Sequence, residues 1–414
     1  MIRFPRRHSH RPIEGVSNIE LFYDLIFVYC ISVLTSLCHT VDGFLNPAVW
    51  GIFMFSYLAI LQVWFFTTLF INRFGERSAA DCVFLFVNMF LLYFMASGVH
   101  TEWSDTRFTF NVAWALILAN QALAWGMKAR AYDNLDKDDI RMIRHTVVTL
   151  AVQAATALAA ALLPFTPSLY ASWAALLIGA SVWRWSQAYR TKAVHFSHVA
   201  ERCSLLVIVA FGEMVVTLSS YTVQTSSMAY PVFVFALVVG LFLIYIFEHD
   251  NMLDHHAHTD GIAYMTITSW LVVVLGNLTV ALAYMPMQEI AFVPKNVFLN
   301  ACLVVYLLMS FAITRYNKPE YKVSGTFAAG RLCACVLIVA VAAITNFDPL
   351  ITLIADTIAV YLALTHEAIM FRKRSGLVIF GRLLGPDPED LADEDNTTTM
   401  RETAVADTLK GREP

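Results

Sequence analysis

Hydrophobic residues form long runs separated by short polar breaks along most of this chain. A run of about 20 apolar residues is needed to cross the ~30 Å hydrocarbon core of a bilayer. The breaks carry turn-forming or charged residues, for example Asn46-Pro47 and Asp348-Pro349. The pattern predicts an all-α, polytopic membrane protein with about twelve transmembrane helices. The predicted spans are 19–38, 48–71, 81–99, 108–128, 142–163, 168–188, 200–220, 229–248, 262–285, 296–315, 325–346 and 350–371.

Composition agrees with a membrane protein. The 414 residues are 58% hydrophobic and 14% charged, whereas soluble domains have about 45–50% apolar and about 25% charged residues. The seven cysteines lie mostly inside apolar runs, which argues against a disulfide framework or a zinc site. The basic residues follow the loops instead of forming a patch, so the expected partner is the lipid bilayer and not a nucleic acid.

The distribution of Lys and Arg predicts the orientation of the chain. Loops on one side carry nearly all of these residues, and the opposite side carries Arg107 and Lys295. Since cytoplasmic loops are enriched in Lys and Arg, both termini are predicted to be cytoplasmic. Residues 1–16 then form a basic cytoplasmic N-terminus. Residues 375–414 form an acidic cytoplasmic tail, which its polar composition predicts to be disordered.

A weak internal repeat divides the spans into two groups of six. Ser17-Asn-Ile-Glu20 opens the first predicted helix, and His198-Val-Ala-Glu201 opens the seventh, at a period of about 180 residues. Six helices in each half would make both halves enter the membrane from the same side. We therefore predict two parallel six-helix repeats, 17–192 and 193–374, related by an axis along the membrane normal.

Four acids in the apolar spans are candidates for ion or proton coupling. An ionisable group at the centre of a membrane helix costs about 2.5–3.5 kcal/mol on insertion scales and usually faces the protein interior. Glu20 and Asp24, at i and i+4, share one face of the first helix. Glu201 opens the seventh helix, and Glu213 lies roughly 18 Å further along it, by the helical rise of 1.5 Å per residue.

The acids also have structural interpretations. Ser17 and Glu20 fit the capping-box pattern of a helix start. Asp24 and Glu201 could be paired inside the bundle with arginines and serve structure as well as function. Gly212, which precedes Glu213, would let another backbone approach. The candidate counter-charges are Arg73, Arg202 and Arg331.

The segment HDNMLDHHAHTD, residues 249–260, is the other candidate site. Its imidazoles and carboxylates could bind a divalent metal or sense pH, although a solvated loop is the simpler interpretation. The metal-ligand candidates are Asp254, His255, His256 and His258. The chain has no P-loop, GxSxG, HExxH or CxxC motif, so no cofactor is predicted and the sequence gives no positive indication of an enzyme.

Several motifs resemble the bacterial low temperature requirement A (LtrA) family. Glu20-Leu-Phe-Tyr-Asp24-Leu-Ile-Phe-Val resembles its ELFFDLVFV signature, and His198-Val-Ala-Glu201-Arg202 with Gly212-Glu213 resembles its HxxER…GE segment. Trp64 and Asn72-Arg73-Phe74 also match. Residues 75–78 and 246–248 depart from the family's DTD-like and YFD stretches. The resemblance implies a multi-pass protein of the bacterial plasma (inner) membrane, but it brings no defined substrate or catalytic residues.

Three functions fit these observations. The first is a secondary transporter of a small ion or solute, coupled to a proton or cation, with Asp24 and Glu213 as titratable groups. The second is an ion channel, because a layout of two times six helices also occurs in two-repeat potassium channels. The third is a membrane sensor or enzyme that uses the His/Asp loop 249–260.

Overall fold

The structure is a computed structural model, and it describes residues 15–39, 41–75, 78–131, 137–181, 195–222, 228–259, 261–345 and 348–375. Within these residues the regular secondary structure is helical, apart from an isolated bridge between Leu253 and Asn317. The α-helices are α1 (Asn18–Leu37), α2 (Pro47–Phe74), α3 (Ala79–Ser97), α4 (Trp103–Ala131), α5 (Lys137–Leu162), α6 (Phe165–Ala180), α7 (Phe196–Thr222), α8 (Ala229–Phe247), α9 (Ile262–Tyr284), α10 (Phe292–Ile313), α11 (Gly325–Ile344) and α12 (Pro349–Ser375).

Ten of these described helices are long and apolar enough to cross a membrane. The other two are α6, an apolar helix of 16 residues, and α7, of 27 residues. Each predicted span overlaps one described helix, so the all-α membrane class is confirmed. The end of the sixth predicted span and the predicted tail from 376 onward lie outside the described residues. The number of twelve spans stays a prediction.

Several helices begin earlier than the sequence pattern predicted, and two of them extend across a proline. α6 begins at Phe165 instead of 168, and α10 begins at Phe292 instead of 296. In both cases a proline, Pro167 or Pro294, occupies the first turn. Proline is tolerated there because the first amides of a helix have no intrahelical acceptor. These prolines are therefore part of the helix start and not breaks before it.

Six packed helix pairs of the first half recur in the second half, while α2–α4 packing is particular to the first half and α10–α12 packing to the second. In the first half the pairs are α1–α2, α1–α3, α3–α4, α4–α5, α5–α6 and α2–α6. In the second half they are α7–α8, α7–α9, α9–α10, α10–α11, α11–α12 and α8–α12. If six is added to both helix numbers of a pair in the first list, the result is a pair in the second list.

The halves meet where α1 and α2 pack against α7 and α9. The most enclosed helix is α9, with 78% of its apolar stretch buried, whereas α3, α5 and α11 have 33% buried. The outer helices present large apolar side chains outward, among them Phe86 and Phe90 of α3. Such a surface suits contact with lipid. The polar groups described below lie inside.

Candidate functional site

The N-terminal end of α1 carries a buried acidic pair. Ser17 caps the helix by accepting a hydrogen bond from the backbone N–H of Glu20. In return, Glu20 Oε1 accepts hydrogen bonds from Ser17 Oγ at 2.8 Å and from the Ser17 N–H at 3.3 Å. The predicted capping box therefore exists. One turn further along, Asp24 lies on the same face and is equally buried, with 2% of its surface exposed.

α7 places His198 and Arg202 against these acids. His198 Nε2 is 3.0 Å from Glu20 Oε2, and Arg202 Nη2 donates to Asp24 Oδ1 at 2.6 Å. Arg202 Nη1 also lies 3.5 Å from Glu20 Oε2. Arg202 itself has no exposed surface. A guanidinium without solvent contact needs paired carboxylates, because an isolated buried charge is strongly unfavourable.

α2 completes this network from a third side. Trp64 Nε1 donates to Asp24 Oδ1 at 3.0 Å. Asn72 accepts a hydrogen bond from the His195 N–H on Oδ1 and donates to the His195 carbonyl from Nδ2, which fixes the orientation of its amide. Nδ2 therefore donates to His198 Nδ1, at 3.2 Å. His198 must then carry its proton on Nε2, and this N–H donates a hydrogen bond to Glu20.

The contacts between α1 and α7 keep a constant register. Glu20 pairs with His198 and Asp24 with Arg202, and near the other end Thr35 Oγ1 donates to Glu213 Oε1 at 2.9 Å. Each pair is separated by 178 residues in sequence. A constant difference means that the two helices run parallel. The repeat match in the sequence pairs Glu20 with Glu201 as equivalent positions, whereas the residue of α7 that contacts Glu20 is His198, three residues earlier.

Glu213 has a different environment from the acids of α1. Its Oε1 also accepts a hydrogen bond from Thr217 Oγ1 at 2.5 Å, but no described group donates to Oε2. The side chain is 1% exposed, and within the described residues no ion pair joins it to a cation. Tyr57 is a close neighbour on α2, and its hydroxyl donates to the carbonyl of Val272.

Three predicted site residues lie outside this network. Glu201 is exposed, since it points about 100° away from Arg202 on the helix, so its predicted pairing inside the bundle is wrong. Gly212 is also exposed, and nothing lies within 4 Å of the position of a Cβ there, so no backbone approaches it. Arg73 is buried but pairs with Asp139 of α5, apart from the α1 acids.

A small cavity of about 40 Å³ adjoins Glu20 between α1, α2, α3 and α4. This volume can hold a water molecule. Its lining is partly polar and extends from Glu20 towards the N-terminal end of α3, where Lys128 pairs with Asp81 at 3.0 Å. The polar lining residues are Ser17, Glu20, Thr67, Asp81, Asn88, Asn120 and Gln121.

A second buried ion cluster lies wholly in the second half of the chain. Arg331 of α11 contacts two acids through the same atom, Nη2: Glu248 Oε1, and Glu367 Oε1 at 2.5 Å. All three residues have 3% or less of their surface exposed. Arg331 thus acts as a counter-charge, as predicted for it, but to acids that were not among the predicted site residues.

The His/Asp loop does not gather its candidates into a metal site. Within the described part of 249–259, no group of three or more His, Cys, Asp or Glu side chains is arranged to hold a metal. Asp254 accepts a hydrogen bond from the backbone of His256 at 3.0 Å. His255 packs against His249 with ring centroids 5.2 Å apart. Burial and the neighbouring His249 lower the pKa of His255.

The fold and these contacts define a multi-pass helical membrane protein with a buried ion network where its two halves meet. The profile of the family "Bacterial low temperature requirement A protein (LtrA)" matches residues 15–366, and the chain belongs to this family. No curated protein and no solved structure matches the chain. The family-motif residues Glu20, Asp24, Trp64, Asn72, His198 and Arg202 are the ones that meet in the network around Arg202.

The sequence did not reveal the hydroxyl partners of Glu213. Thr35 and Thr217 are single threonines in apolar helices, and such residues usually bond to their own helix backbone. The only available signal was spacing: Thr35 follows Asp24 by 11 residues, as Glu213 follows Arg202. This signal becomes visible only when the register of 178 is known.

Proposed function

We propose that this LtrA-family protein is a secondary transporter of a small ion or solute, coupled to a proton or small cation, and that Glu213 is its coupling group. The observation that carries the proposal is the state of the Glu213 carboxylate. It is buried and lacks a cationic partner in the described structure, and only hydroxyls donate to it, both to one oxygen. A carboxylate in such a site favours a bound proton or cation over bare ionisation.

Asp24 has different contacts from Glu213, and we infer a different role for it. The guanidinium of Arg202 and the indole of Trp64 both donate to its Oδ1, so its charge has a cationic partner, which Glu213 lacks, although no described group donates to Oδ2. We infer that Asp24 holds α1 against α7, and that it positions the interface without itself releasing protons during transport. This narrows the pair of titratable candidates, Asp24 and Glu213, to Glu213.

The repeated helix contacts support the predicted two-repeat architecture. Six packed pairs of α1–α6 recur in α7–α12, and α1 runs parallel to α7 through contacts 178 residues apart. On this proposal the repeats 17–192 and 193–374 are related by an axis along the membrane normal, beside which Glu213 and Thr35 lie. Parallel α1 and α7 agree with an even number of crossings in each half and with both termini in the cytoplasm of a bacterial plasma-membrane protein.

The proposal is tested with purified protein in liposomes that contain a pH-sensitive dye, under a clamped membrane potential, across a panel of cations, anions and small solutes. We expect slow, saturable, proton- or cation-linked flux that Glu213→Gln abolishes. Glu102→Gln, which alters an exposed carboxylate, should retain it. Flux and coupling unchanged by Glu213→Gln would refute the role of Glu213. Fast ohmic current in place of flux would refute transport in favour of a channel.

A folding defect must be separated from loss of coupling. Glu213→Gln keeps the side-chain volume and its two hydroxyl donors, so its thermal unfolding in detergent should remain close to that of the unchanged protein. Thr35→Val is a second variant, which leaves the carboxylate but removes one donor. We expect it to keep flux while shifting its pH dependence; flux with an unshifted pH profile would contradict the assignment.

A further inference from the structure

The Arg331 cluster contains more acid than its surroundings can compensate. Glu248 follows the last residue of α8 and begins a π-helical turn, Glu248–Met252, while Glu367 lies on α12. Both approach the same nitrogen, Arg331 Nη2, so the two carboxylates face each other across one guanidinium atom. No described group donates a hydrogen bond to Glu248 Oε2 or Glu367 Oε2.

The charge balance of the cluster is uneven. Two ionised carboxylates and one guanidinium leave a net charge of −1 in a site that is almost fully buried. Tyrosine and cysteine side chains are neutral near pH 7. Of the nearby histidines, His249 hydrogen-bonds to Asp250, and the ring of His366 packs against Gly330. The other ionisable groups around the cluster are Tyr264, Tyr306, Cys335, His249 and His366.

Two physical effects act in the same direction here. An isolated negative charge is costly to bury, by several kcal/mol or more, and adjacent carboxylates that share a site do not both ionise readily. A single positive charge that binds between the acids removes both costs. A proton fits because it needs no space. Bound to one carboxylate, it forms an O–H group that can donate a hydrogen bond to a free oxygen of the other carboxylate.

We propose that Glu248 and Glu367 form a proton-binding site in which the pair shares one proton while Arg331 compensates the remaining negative charge. The site lies apart from Glu213 and does not depend on the transport proposal. It joins the end of α8 to α11 and α12. Release of the proton would place two negative charges on one guanidinium, and the resulting repulsion would loosen the contact between α8 and α12.

Infrared difference spectroscopy of the full-length protein in lipid tests this site through the C=O stretch of a protonated carboxylic acid. We expect a band near pH 7 that disappears both in Glu248→Gln and in Glu367→Gln, because the single acid left in each variant ionises beside Arg331. Glu102→Gln should leave the spectrum unchanged. Glu213→Gln should leave this band in place, which separates the cluster from the coupling group.

Three results would overturn the proposal: no acid band that depends on these residues, a band lost in only one of the two variants, or an infrared change that requires added Na⁺ or K⁺. The last would mark a metal-cation site instead. If both glutamine variants fail to fold, titration of the unchanged protein still decides. Upward titration must remove the band reversibly, and Glu367→Asp must shift it without abolishing it.

Discussion

Arg202 and Arg331 are both buried, and each is paired with two carboxylates, yet the two clusters differ in how many donors reach the acids. Around Arg202, Glu20 receives hydrogen bonds from Ser17 and His198, and the indole of Trp64 reaches Asp24. Around Arg331, both acids rely on one guanidinium nitrogen. Composition alone therefore does not determine the charge state of a buried cluster.

The reason is local geometry. The first cluster lies at the N-terminal end of α1, where a capping serine and the positive end of the helix dipole stabilise a carboxylate. The second lies past the C-terminal end of α8, where the helix dipole disfavours one. Two ionised acids are consistent with the first environment, whereas the second favours an acid pair that retains a proton. Three predictions test whether the acids near Arg202 are both ionised while the pair near Arg331 retains a proton. A fourth measurement tests the retained proton directly.

The largest effect is expected for Arg202→Met. Removal of this cation leaves Glu20 and Asp24 buried without a counter-charge, and breaking a buried ion pair in this way costs about 3–5 kcal/mol of unfolding free energy. Reversible unfolding in mixed micelles measures the loss. The triple variant with Glu20→Gln and Asp24→Asn should regain much of it. No recovery in the triple variant would mean that Arg202 acts through packing and not through charge.

Removal of one acid from each cluster should have unequal effects. Glu20→Gln loses charge-assisted hydrogen bonds from His198 and Ser17, for an expected loss of about 1.5–3 kcal/mol. Glu367→Gln removes the uncompensated acid and should cost less than about 1 kcal/mol, or stabilise the protein, above neutral pH. The same unfolding assay compares the two variants. Equal losses would remove the distinction between the clusters.

The smallest contrast between two measurements is expected for a single indole donor. Trp64→Phe deletes a hydrogen bond to the Asp24 carboxylate and should cost about 1.5–3 kcal/mol, as for bonds to charged groups. The matched control is the same change in an Asp24→Asn background, where the buried site is the same and the indole bonds to a neutral amide, so the loss should fall to about 0.5–1.5 kcal/mol plus the same packing cost. An equal Trp64→Phe loss in both backgrounds would argue against an ionised Asp24.

Much of the fold could be predicted from hydrophobic run length, because a bilayer imposes a minimum helix length. The capping role of Ser17 and Glu20 could also be predicted, since it is local in sequence. The partners of the acids could not, because they are set by helix rotation and register. Glu201 and Arg202 are adjacent in sequence, yet one is exposed and the other has no exposed surface.

Contacts between residues far apart in sequence account for the site residues that could not be predicted. Glu248 and Glu367 are 119 residues apart in sequence, and nothing local to either indicates that Arg331 joins them. Departure from the family pattern at residues 246–248 drew attention to Glu248 but not to its partner. Conversely, the motifs containing Asp24, Asn72 and Arg202 identified the residues of the first cluster but not which atoms they share.

The most direct test of the difference between the clusters is the pH dependence of unfolding for the unchanged protein and for Glu367→Gln. In the native protein the acid pair keeps one proton that the unfolded chain, with ordinary glutamates of pKa about 4.3, has released near neutrality. The stability of the unchanged protein relative to the variant should therefore fall by about 1.4 kcal/mol for each unit of rising pH. Parallel stability curves between about pH 6 and pH 8 would show that no proton is held there, and would contradict the account.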